Sequence, residues 1–273
     1  MMEVLIPILV LLGAGVACAL LLTLASVFFA VKEDERALQI RDALPGANCG
    51  ACGFSGCDAY AKALSEGVTD KTNLCVPGGD GTAKEISEIL GVEAEDVVEQ
   101  VAYVSCNGSC QPEERKYKYD GPQSCKAANM NFSGDRFCTF ACLGYGDCVN
   151  VCPRDAICID ERGLAHVDPR KCIGCGLCVK ACPNDIIHLV KDTTRVVVKC
   201  NSHNKGADVR KFCKNGCIAC GKCEKTCPEG AIKVVDNLAR IDYDKCTGCG
   251  ACAKACPISC IHEGNFICGA HFE

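Results

Sequence analysis

The stretch KCTGCGACAKACP, Lys245 to Pro257, places four cysteines at the spacing C-x2-C-x2-C-x3-C-P. Runs of this spacing bind [4Fe–4S] clusters, with the first three thiolates on one cluster and the fourth on a neighbouring cluster. A structural zinc site would gain nothing from a crossed fourth ligand. The chain contains three such runs, formed by Cys172, Cys175, Cys178 and Cys182, by Cys217, Cys220, Cys223 and Cys227, and by Cys246, Cys249, Cys252 and Cys256.

Crossed binding requires pairs of runs, and an irregular run, CTFACLGYGDCVNVCP, lies upstream of the one that begins at Cys172. Its regular members are Cys142, Cys148 and Cys152. Tyr145 stands where the second cysteine is expected. Cys138, four residues before Cys142, is the natural replacement, and Cys125 is the next candidate if Cys138 proves not to be a ligand.

The two runs of each pair are joined by a stretch that predicts a β-hairpin. RDAICIDERGLAHVDPRK turns near Gly163, and EGAIKVVDNLARIDYDK turns at Asp236 and Asn237. Cys158, in the first stretch, is predicted to be a buried strand residue and not a ligand. Two tandem ferredoxin-like modules with two clusters each are therefore expected. The crossed ligand sets are Cys138, Cys142 and Cys148 with Cys182; Cys172, Cys175 and Cys178 with Cys152; Cys217, Cys220 and Cys223 with Cys256; and Cys246, Cys249 and Cys252 with Cys227.

A different pattern, C-x2-C-x4-C-x17-C, lies nearer the N-terminus. It consists of Cys49, Cys52, Cys57 and Cys75. Four cysteines without histidine around a glycine-rich turn fit a further [4Fe–4S] site, and an all-cysteine zinc site is the competing interpretation. Five [4Fe–4S] clusters are thus expected. The CDAYAKALSEG stretch that follows Cys52 predicts a helix that ends at Gly67.

Cysteine dominates the composition, with 29 of 273 residues. The count is odd and the cysteines lie in tight groups, which favours metal centres over disulfide bonds. A formal net charge of -5 without a basic stripe argues against nucleic-acid binding. No dinucleotide-binding motif or P-loop occurs, and the five histidines are scattered. The chain is therefore expected to bind no nucleotide and to hold no complete active site of its own.

The run from Val4 to Val31 contains no charged residue. It is longer than the roughly 20 residues that a membrane-spanning helix needs. Only Glu3 is charged before it, whereas a cleaved signal peptide would begin with basic residues, so a retained transmembrane helix is favoured. The mixed charges after the run do not fix its orientation. Because dense thiolate clusters are kept in a reducing compartment, the bulk of the chain is expected on the cytoplasmic side of the cytoplasmic membrane.

The predicted fold class is α+β: one transmembrane helix, a small four-cysteine iron–sulfur domain, and tandem ferredoxin-like modules. In the iron–sulfur domain, TAKE at Thr82–Glu85 has the pattern of a capping box and predicts a helix over residues 82–101. The expected boundaries are 1–32 for the transmembrane helix, 33–103 for the 4Fe-4S domain with its helical tail, 104–190 for the first module and 191–273 for the second.

Apart from Cys18, which lies in the apolar run, seven more cysteines belong to neither an expected ligand set nor a hairpin: Cys106, Cys110, Cys125, Cys200, Cys213, Cys260 and Cys268. The stretches VSCNGSC and VKCNSHN occupy matching places ahead of their modules. The three early cysteines with one of the pair before the second module are candidates for a sixth cluster. No established spacing covers them, and the alternative is that they are buried thiols.

The order of these parts resembles the B subunit of the Rnf complex, the membrane-bound ferredoxin:NAD oxidoreductase of anaerobic bacteria. The resemblance rests on the apolar run, the NCGACGFSGC loop with its distant Cys75, and the irregular first loop, and it covers nearly the whole chain. The second module resembles the longer form of the subunit. The resemblance implies that the subunit accepts electrons from reduced soluble ferredoxin and passes them to membrane and flavin-bearing subunits, which reduce NAD and export Na+ or H+.

Two other functions fit part of the pattern. A membrane-anchored polyferredoxin would carry the same clusters and serve a hydrogenase or another reductase. A zinc scaffold would use its four-cysteine sites to hold partner proteins. The colour of the purified protein separates the second alternative, because iron–sulfur clusters are brown and zinc sites are colourless.

Overall fold

The computed structural model of the protein describes residues 2–28, 34–108 and 115–264, with side chains of the first helix from 12 to 25. In these residues the α-helices are α1 (Met2–Phe28), α2 (Glu35–Ala43), α3 (Cys57–Ser65), α4 (Gly79–Leu90), α5 (Cys125–Asn129), α6 (Asp147–Asn150), α7 (Leu177–Ala181), α8 (Gly206–Phe212), α9 (Lys222–Thr226) and α10 (Ala251–Ala255). The strands are β1 (Gln100–Val104), β2 (Ile157–Ile159), β3 (Ala165–Val167), β4 (Ile187–Lys191), β5 (Val196–Val198), β6 (Ile232–Val235), β7 (Leu238–Ile241) and β8 (Ile261–Glu263). Short 3-10 turns occur at Thr72–Leu74 and Val76–Gly78. Cys110 and Cys268 lie outside the described residues.

Two modules with the same strand pairing follow one another in the chain. In the first, β1 pairs antiparallel with β4 and β2 pairs with β3; in the second, β5 pairs with β8 and β6 with β7. Each module therefore has an outer pair, made by its first and last strands, and an inner hairpin. Both predicted hairpins are confirmed. Asp236 and Asn237 turn with φ of 48° and 62°, and Gly163 turns with φ of 74°, the left-handed conformation that tight hairpins need.

The core of each module lies between its strands and its cysteine loops. In the first module Leu164 and Ile187 are almost fully buried, and Val196 and Ile232 play the same part in the second. The two modules also contact each other, because Val101, Tyr103 and Val190 form one apolar cluster with Val197. Cys158 lies in β2, as predicted, but it is exposed and not buried. Its side chain points away from the core because its strand neighbour Ile157 points toward it.

Helices α2, α3 and α4 form the iron–sulfur domain around Tyr60 and Ile86, which are both fully buried. The predicted helix after Cys57 is confirmed as α3. The predicted helix over 82–101 is wrong in its bounds and its start. Helix α4 begins at Gly79 and ends before Gly91, whose φ of 69° stops it, and the Thr82 hydroxyl donates to Ala43 O (3.4 Å).

Residues 100–103, expected in the iron–sulfur domain with its helical tail, instead belong to β1 (Gln100–Val104) of the first module. The pairing of Val104 with Ile187 accounts for this difference, since a strand partner far along the chain overrides the local helical pattern. The sheet of the first module accordingly starts at residue 100.

The apolar run of the N-terminus forms α1, a helix of 27 residues. Where its side chains are described, from 12 to 25, all are exposed, including Leu20, Leu21 and Leu22. Among the residues that the structure describes, no helix meets both the length and the apolarity that a membrane span requires.

Candidate metal centres

All four cluster loops of the two modules share one backbone geometry. The residues before and after the second ligand position adopt positive φ, and a short helix starts immediately afterwards. These residues are Gly144 and Gly146, Gly174 and Gly176, Ala219 and Gly221, and Gly248 and Gly250. The irregular loop therefore folds like the regular ones, with Tyr145 at the second ligand position. Glycine suits these positions because a Cβ disfavours left-handed backbone.

In the second module the cysteines line two separate cavities. One is lined by Cys217, Cys220, Cys223 and Cys256, with the additional Cys260 thiol 3.6 Å from Cys256 Sγ, and the other by Cys227, Cys246, Cys249 and Cys252. Each cavity receives three thiols from one loop and the fourth from the opposite loop. This is the arrangement that crossed cluster binding requires.

In the first module, Cys152 of the irregular run lies with the cysteines of the regular run. The pKa of Cys178 is raised to about 12, chiefly by burial and also by the negative charges of Cys172, Cys175 and Cys152. The pKa of Cys175 is also raised by burial and by the charges of Cys49, Cys172 and Cys152. The expected set of Cys152, Cys172, Cys175 and Cys178 is thus brought together.

The irregular loop gathers a set that differs from the sequence expectation at one position. Its cavity is lined by Cys125, Cys142, Cys148 and Cys182. Burial raises the pKa of Cys148 to about 12, followed by the charges of Cys142, Cys125 and Cys182. Cys138 does not line this cavity and lies instead in a cavity with Cys106, Cys200 and Cys213. Cys125, and not Cys138, therefore supplies the fourth thiol of the cavity lined by Cys142, Cys148 and Cys182.

Tyr145 occupies the second ligand position in the sequence, but its side chain does not line the cavity because its hydroxyl forms hydrogen bonds with other residues. The hydroxyl donates to Asp135 Oδ2 at 2.8 Å and accepts from Arg115 Nη1 at 3.0 Å. The Arg115 guanidinium also forms an ion pair with the fully buried Asp135 and lies 5.5 Å from the Tyr145 ring centroid. These contacts direct the tyrosine toward Asp135.

Asp147 holds the backbone around Cys125, whose thiol lines the cavity that the Tyr145 side chain does not enter. Its Oδ2 atom accepts hydrogen bonds from Ser124 Oγ and from the backbone N–H of Lys126, both at 2.9 Å. These two donors flank Cys125 on either side, and Ser124 also caps α5 by accepting from Ala127 N. The regular loops have Leu177, Lys222 and Ala251 at the position of Asp147. The carboxylate beside Gly146 is thus the sequence signal that would have pointed to a ligand from outside the loop.

The N-terminal set is also brought together. Burial raises the pKa of Cys75 to about 11, and the charges of Cys57, Cys49 and Cys52 contribute to the rise. Asn48 accepts a hydrogen bond from the Cys57 N–H through its Oδ1 at 2.8 Å, which holds the loop at the start of α3. The domain carrying this set lies against the first module, where Lys180 Nζ donates to the carbonyls of Cys49 and Gly50, both at 3.3 Å.

Backbone N–H groups point at several of these sulfurs. Ala156 N lies 3.3 Å from Cys152 Sγ, and Ala231 N lies 3.3 Å from Cys227 Sγ. The same contact thus recurs at the fourth cysteine of a run in both modules. Hydrogen bonds to ligand sulfur are one of the features that set the reduction potential of an iron–sulfur cluster.

The spacing of the thiols fits clusters better than single ions. Tetrahedral zinc with Zn–S bonds of about 2.3 Å brings its sulfurs within about 4 Å of one another. In the part of the chain that the structure describes, no three His, Cys, Asp or Glu side chains converge tightly enough to hold one metal ion. Four thiols around a cavity, some of them buried and others partly exposed, fit the larger [4Fe–4S] group. Burial disfavours the bare thiolate, so these thiols would release their protons to solvent on bonding to iron.

Three family models match separate parts of the chain. The model described as "Putative Fe-S cluster" matches residues 44–77, the 4Fe-4S binding domain matches residues 165–188, and the 4Fe-4S dicluster domain matches residues 216–260. These matches cover the N-terminal set, a loop of the first module and both loops of the second. Iron–sulfur binding is thus supported in each described domain that carries cysteine sets.

Curated relatives match over most of the chain. The B subunit of the Na(+)-translocating ferredoxin:NAD(+) oxidoreductase complex of Acetobacterium woodii is 44% identical over 258 residues, 94% of this chain and 77% of the relative. The proton-translocating counterpart of Clostridium ljungdahlii is 41% identical over 84% of this chain and 80% of the relative. The B subunit of the ion-translocating oxidoreductase complex of Methanosarcina acetivorans is 42% identical over 86% and 89%. The chain therefore belongs to the family of B subunits of the ion-translocating ferredoxin:NAD oxidoreductase (Rnf) complexes.

Proposed function

We propose that this chain is the multi-cluster electron-transfer subunit that takes electrons from reduced soluble ferredoxin and relays them to membrane and flavin-bearing subunits for NAD reduction. That reduction is coupled to export of Na+ or H+. The observation that carries the proposal is the set of separate cysteine-lined cavities in the two modules, with the N-terminal cysteine set as a further group beside them. A relay needs several redox centres in sequence, whereas an enzyme that completes a reaction needs a substrate site.

Five [4Fe–4S] clusters belong to the proposal. Their ligands are Cys49, Cys52, Cys57 and Cys75; Cys125, Cys142, Cys148 and Cys182; Cys152, Cys172, Cys175 and Cys178; Cys217, Cys220, Cys223 and Cys256; and Cys227, Cys246, Cys249 and Cys252. The second set takes Cys125 in place of the expected Cys138. When bound, each cluster accepts and donates one electron. The protein contributes thiolates, N–H groups aimed at sulfur, and apolar side chains such as Ile232 that exclude water.

The membrane anchor is a separate part of the proposal. We assign that role to α1, with the remaining domains on the cytoplasmic side. The absence of charge from Val4 to Val31 and the helical conformation from Met2 to Phe28 support this assignment. The proposed domain bounds are 1–32 for the anchor, 33–99 for the iron–sulfur domain, 100–191 for the first module and 192–273 for the second.

The Cys256→Ala variant tests the electron path in the assembled complex. Cys256 lies in the loop of Cys252 but lines the cavity of Cys217, Cys220 and Cys223. We expect the variant to lose the cluster of that cavity, about four iron atoms per chain, and to lose ferredoxin-dependent NAD reduction in membranes. NADH oxidation by an artificial acceptor at the flavin subunits should survive.

The matched control is Cys158→Ala, which removes an exposed thiol of β2. It should keep both the iron content and the rate. If Cys256→Ala loses iron yet reduces NAD with ferredoxin at the parent rate, the second module is not on the obligatory path. If the parent complex contains zinc in place of iron, electron transfer itself is excluded as the function.

A further inference from the structure

A fourth cysteine-lined cavity lies between the two modules and belongs to none of the five sets. Its thiols are those of Cys106, Cys138, Cys200 and Cys213. Its volume, counted together with the open space at its mouth, is about 510 Å³, compared with about 300 to 340 Å³ for the cysteine-lined cavities described above. The cavity is therefore large enough for the group that the other cavities would hold.

The four thiols are two matched pairs from the internal repeat. Cys138 lies four residues before Cys142, and Cys213 lies four residues before Cys217, the first cysteine of the corresponding loop. Cys106 and Cys200 each lie two residues beyond the first strand of their module, β1 or β5. The hydrogen bonds that end these strands also correspond: Ser105 N donates to Ile186 O (2.7 Å), and Lys199 N donates to Cys260 O (2.8 Å).

Each module thus brings two thiols to their common boundary, and the thiols lie near one another across it. Cys138 and Cys213 come within electrostatic reach of each other, as do Cys106 and Cys138, and Cys106 and Cys200. A Cβ atom at Gly108 would lie 3.8 Å from Cys106 Sγ and 4.0 Å from Cys213 Sγ. Glycine at this position leaves the space between the thiols open.

The surroundings suit a group of net negative charge. Arg136, which is only 4% exposed, and Lys199 both line the cavity. Ser202 forms a hydrogen bond with the Cys138 thiol. A [4Fe–4S] cluster with four thiolates is anionic, and buried cations and hydrogen bonds offset the cost of taking that charge out of water. Among the described residues, no three His, Cys, Asp or Glu side chains lie close enough together to bind a single zinc ion here.

We propose that Cys106, Cys138, Cys200 and Cys213 bind a sixth [4Fe–4S] cluster that joins the two modules. Each thiol gives up its proton as its sulfur bonds to iron. The Cys142 N–H is hydrogen-bonded to Cys106 Sγ, and the Cys217 N–H donates to Cys200 Sγ at 3.2 Å. The sixth site is therefore in direct contact with one ligand of a cluster in each module. This inference rests on the proposed cluster chemistry of the other cavities.

Iron analysis of the anaerobically purified complex tests the sixth site. Five clusters correspond to about 20 iron atoms per chain and six to about 24. We expect about 24 in the parent and about 20 in Cys106→Ala and Cys213→Ala, with one signal lost from the EPR spectrum of the reduced protein. Cys213→Ser is a second variant in case the alanine destabilises the module boundary. The control is Cys158→Ala, which removes an exposed thiol of β2 outside the cysteine-lined cavities and should keep the parent iron content.

Double variants separate the sixth site from its neighbour. Cys106→Ala with Cys213→Ala should lose no more iron than either single variant, whereas Cys125→Ala with Cys138→Ala should lose about eight iron atoms. If the second pair loses only about four, both thiols serve one cluster and the sixth site is overturned. A parent with about 20 iron atoms that are all kept in Cys213→Ala also overturns it, while leaving the proposed function intact. A parent without iron would instead overturn the proposed function.

Discussion

Tyr145 illustrates how a single residue changes which side chains line a cavity without changing the backbone of the loop that carries it. The backbone on both sides of Tyr145 keeps the positive φ of the regular loops, 80° and 82° at Gly144 and Gly146. Only the side chain differs, and it turns to Asp135 and Arg115. The missing thiol must then come from elsewhere in the chain. Cys125 can supply it because Asp147 binds the backbone and hydroxyl groups beside it.

Asp147 is accordingly a positioning residue for the first cluster loop. In Asp147→Ala both hydrogen bonds to α5 are lost, at about 1.5–3 kcal/mol for each bond to a charged group, so Cys125 should no longer be held at the cavity. We expect up to about four fewer iron atoms per chain and a weaker EPR signal from one cluster. Asp147→Asn keeps an acceptor oxygen and should restore part of the loss, which a general loss of folding would not.

Asp120→Ala is the control for Asp147→Ala. Asp120 is an exposed carboxylate on the segment between β1 and Cys142, which also carries Cys125. The control variant should keep full iron content. Equal iron in the parent and in Asp147→Ala would mean that α5 is held by other contacts, such as the packing of Ala128 against Leu143.

At the scale of single elements, the predictable parts are those determined by nearby residues. The hairpin of β6 and β7 follows from two turn residues, Asp236 and Asn237, between alternating apolar residues. The helix α3 follows directly from its apolar spacing and from Gly67. In contrast, the predicted helix over residues 82–101 runs into the first two residues of β1. The strand partner of β1 is β4, which lies on the far side of the first module's cysteine loops. No local pattern could reveal that pairing.

The helix α1 has no described contact that would hold it to the rest of the chain, and its apolar side chains from 12 to 25 are exposed. Removal of residues 1–33 should therefore leave the cysteine domains folded and fully loaded with iron. We expect the truncated protein to be brown and to leave the membrane fraction, measured by absorbance and iron in the supernatant after ultracentrifugation. Truncated protein that stays in the membrane pellet would indicate docking through the cysteine domains.

At the scale of the whole molecule, the sequence predicts two modules with crossed cysteines, whereas the structure places Cys125, and not Cys138, in the cavity of Cys142, Cys148 and Cys182. Cys125 and Cys138 both lie in the segment between β1 and Cys142, which has no regular spacing. Their separation depends on how that segment folds back on the loop and on the second module. The contacts that decide it, such as that of Asp147 with Ser124, join residues far apart in sequence. Spacing rules describe ligands within one loop and therefore cannot identify a cysteine, such as Cys125, that lies outside the loop.

The contact between the iron–sulfur domain and the first module also joins residues that are far apart in the chain. Gly174 lets its loop approach closely, since a Cβ there would meet Gln100 O at 2.5 Å and Val76 Cγ1 at 3.2 Å. Lys180, on the helix after that loop, donates to the carbonyls of Cys49 and Gly50. The N-terminal set is thereby held beside Cys175, whose pKa is raised by burial and by the charge of Cys49.

Lys180→Met tests this contact, because it keeps the apolar stem and removes the ammonium group. Loss of about 1 kcal/mol from the lysine hydrogen bonds should speed amide exchange in residues 47–57 about fivefold, measured by mass spectrometry of the reduced complex. Iron content should stay unchanged. Lys254→Met is the matched control, since Lys254 holds the same place in the last loop and is exposed. Equal exchange rates in the two variants would mean that packing around Gly174, and not the Lys180 ammonium, fixes the N-terminal set against the first module.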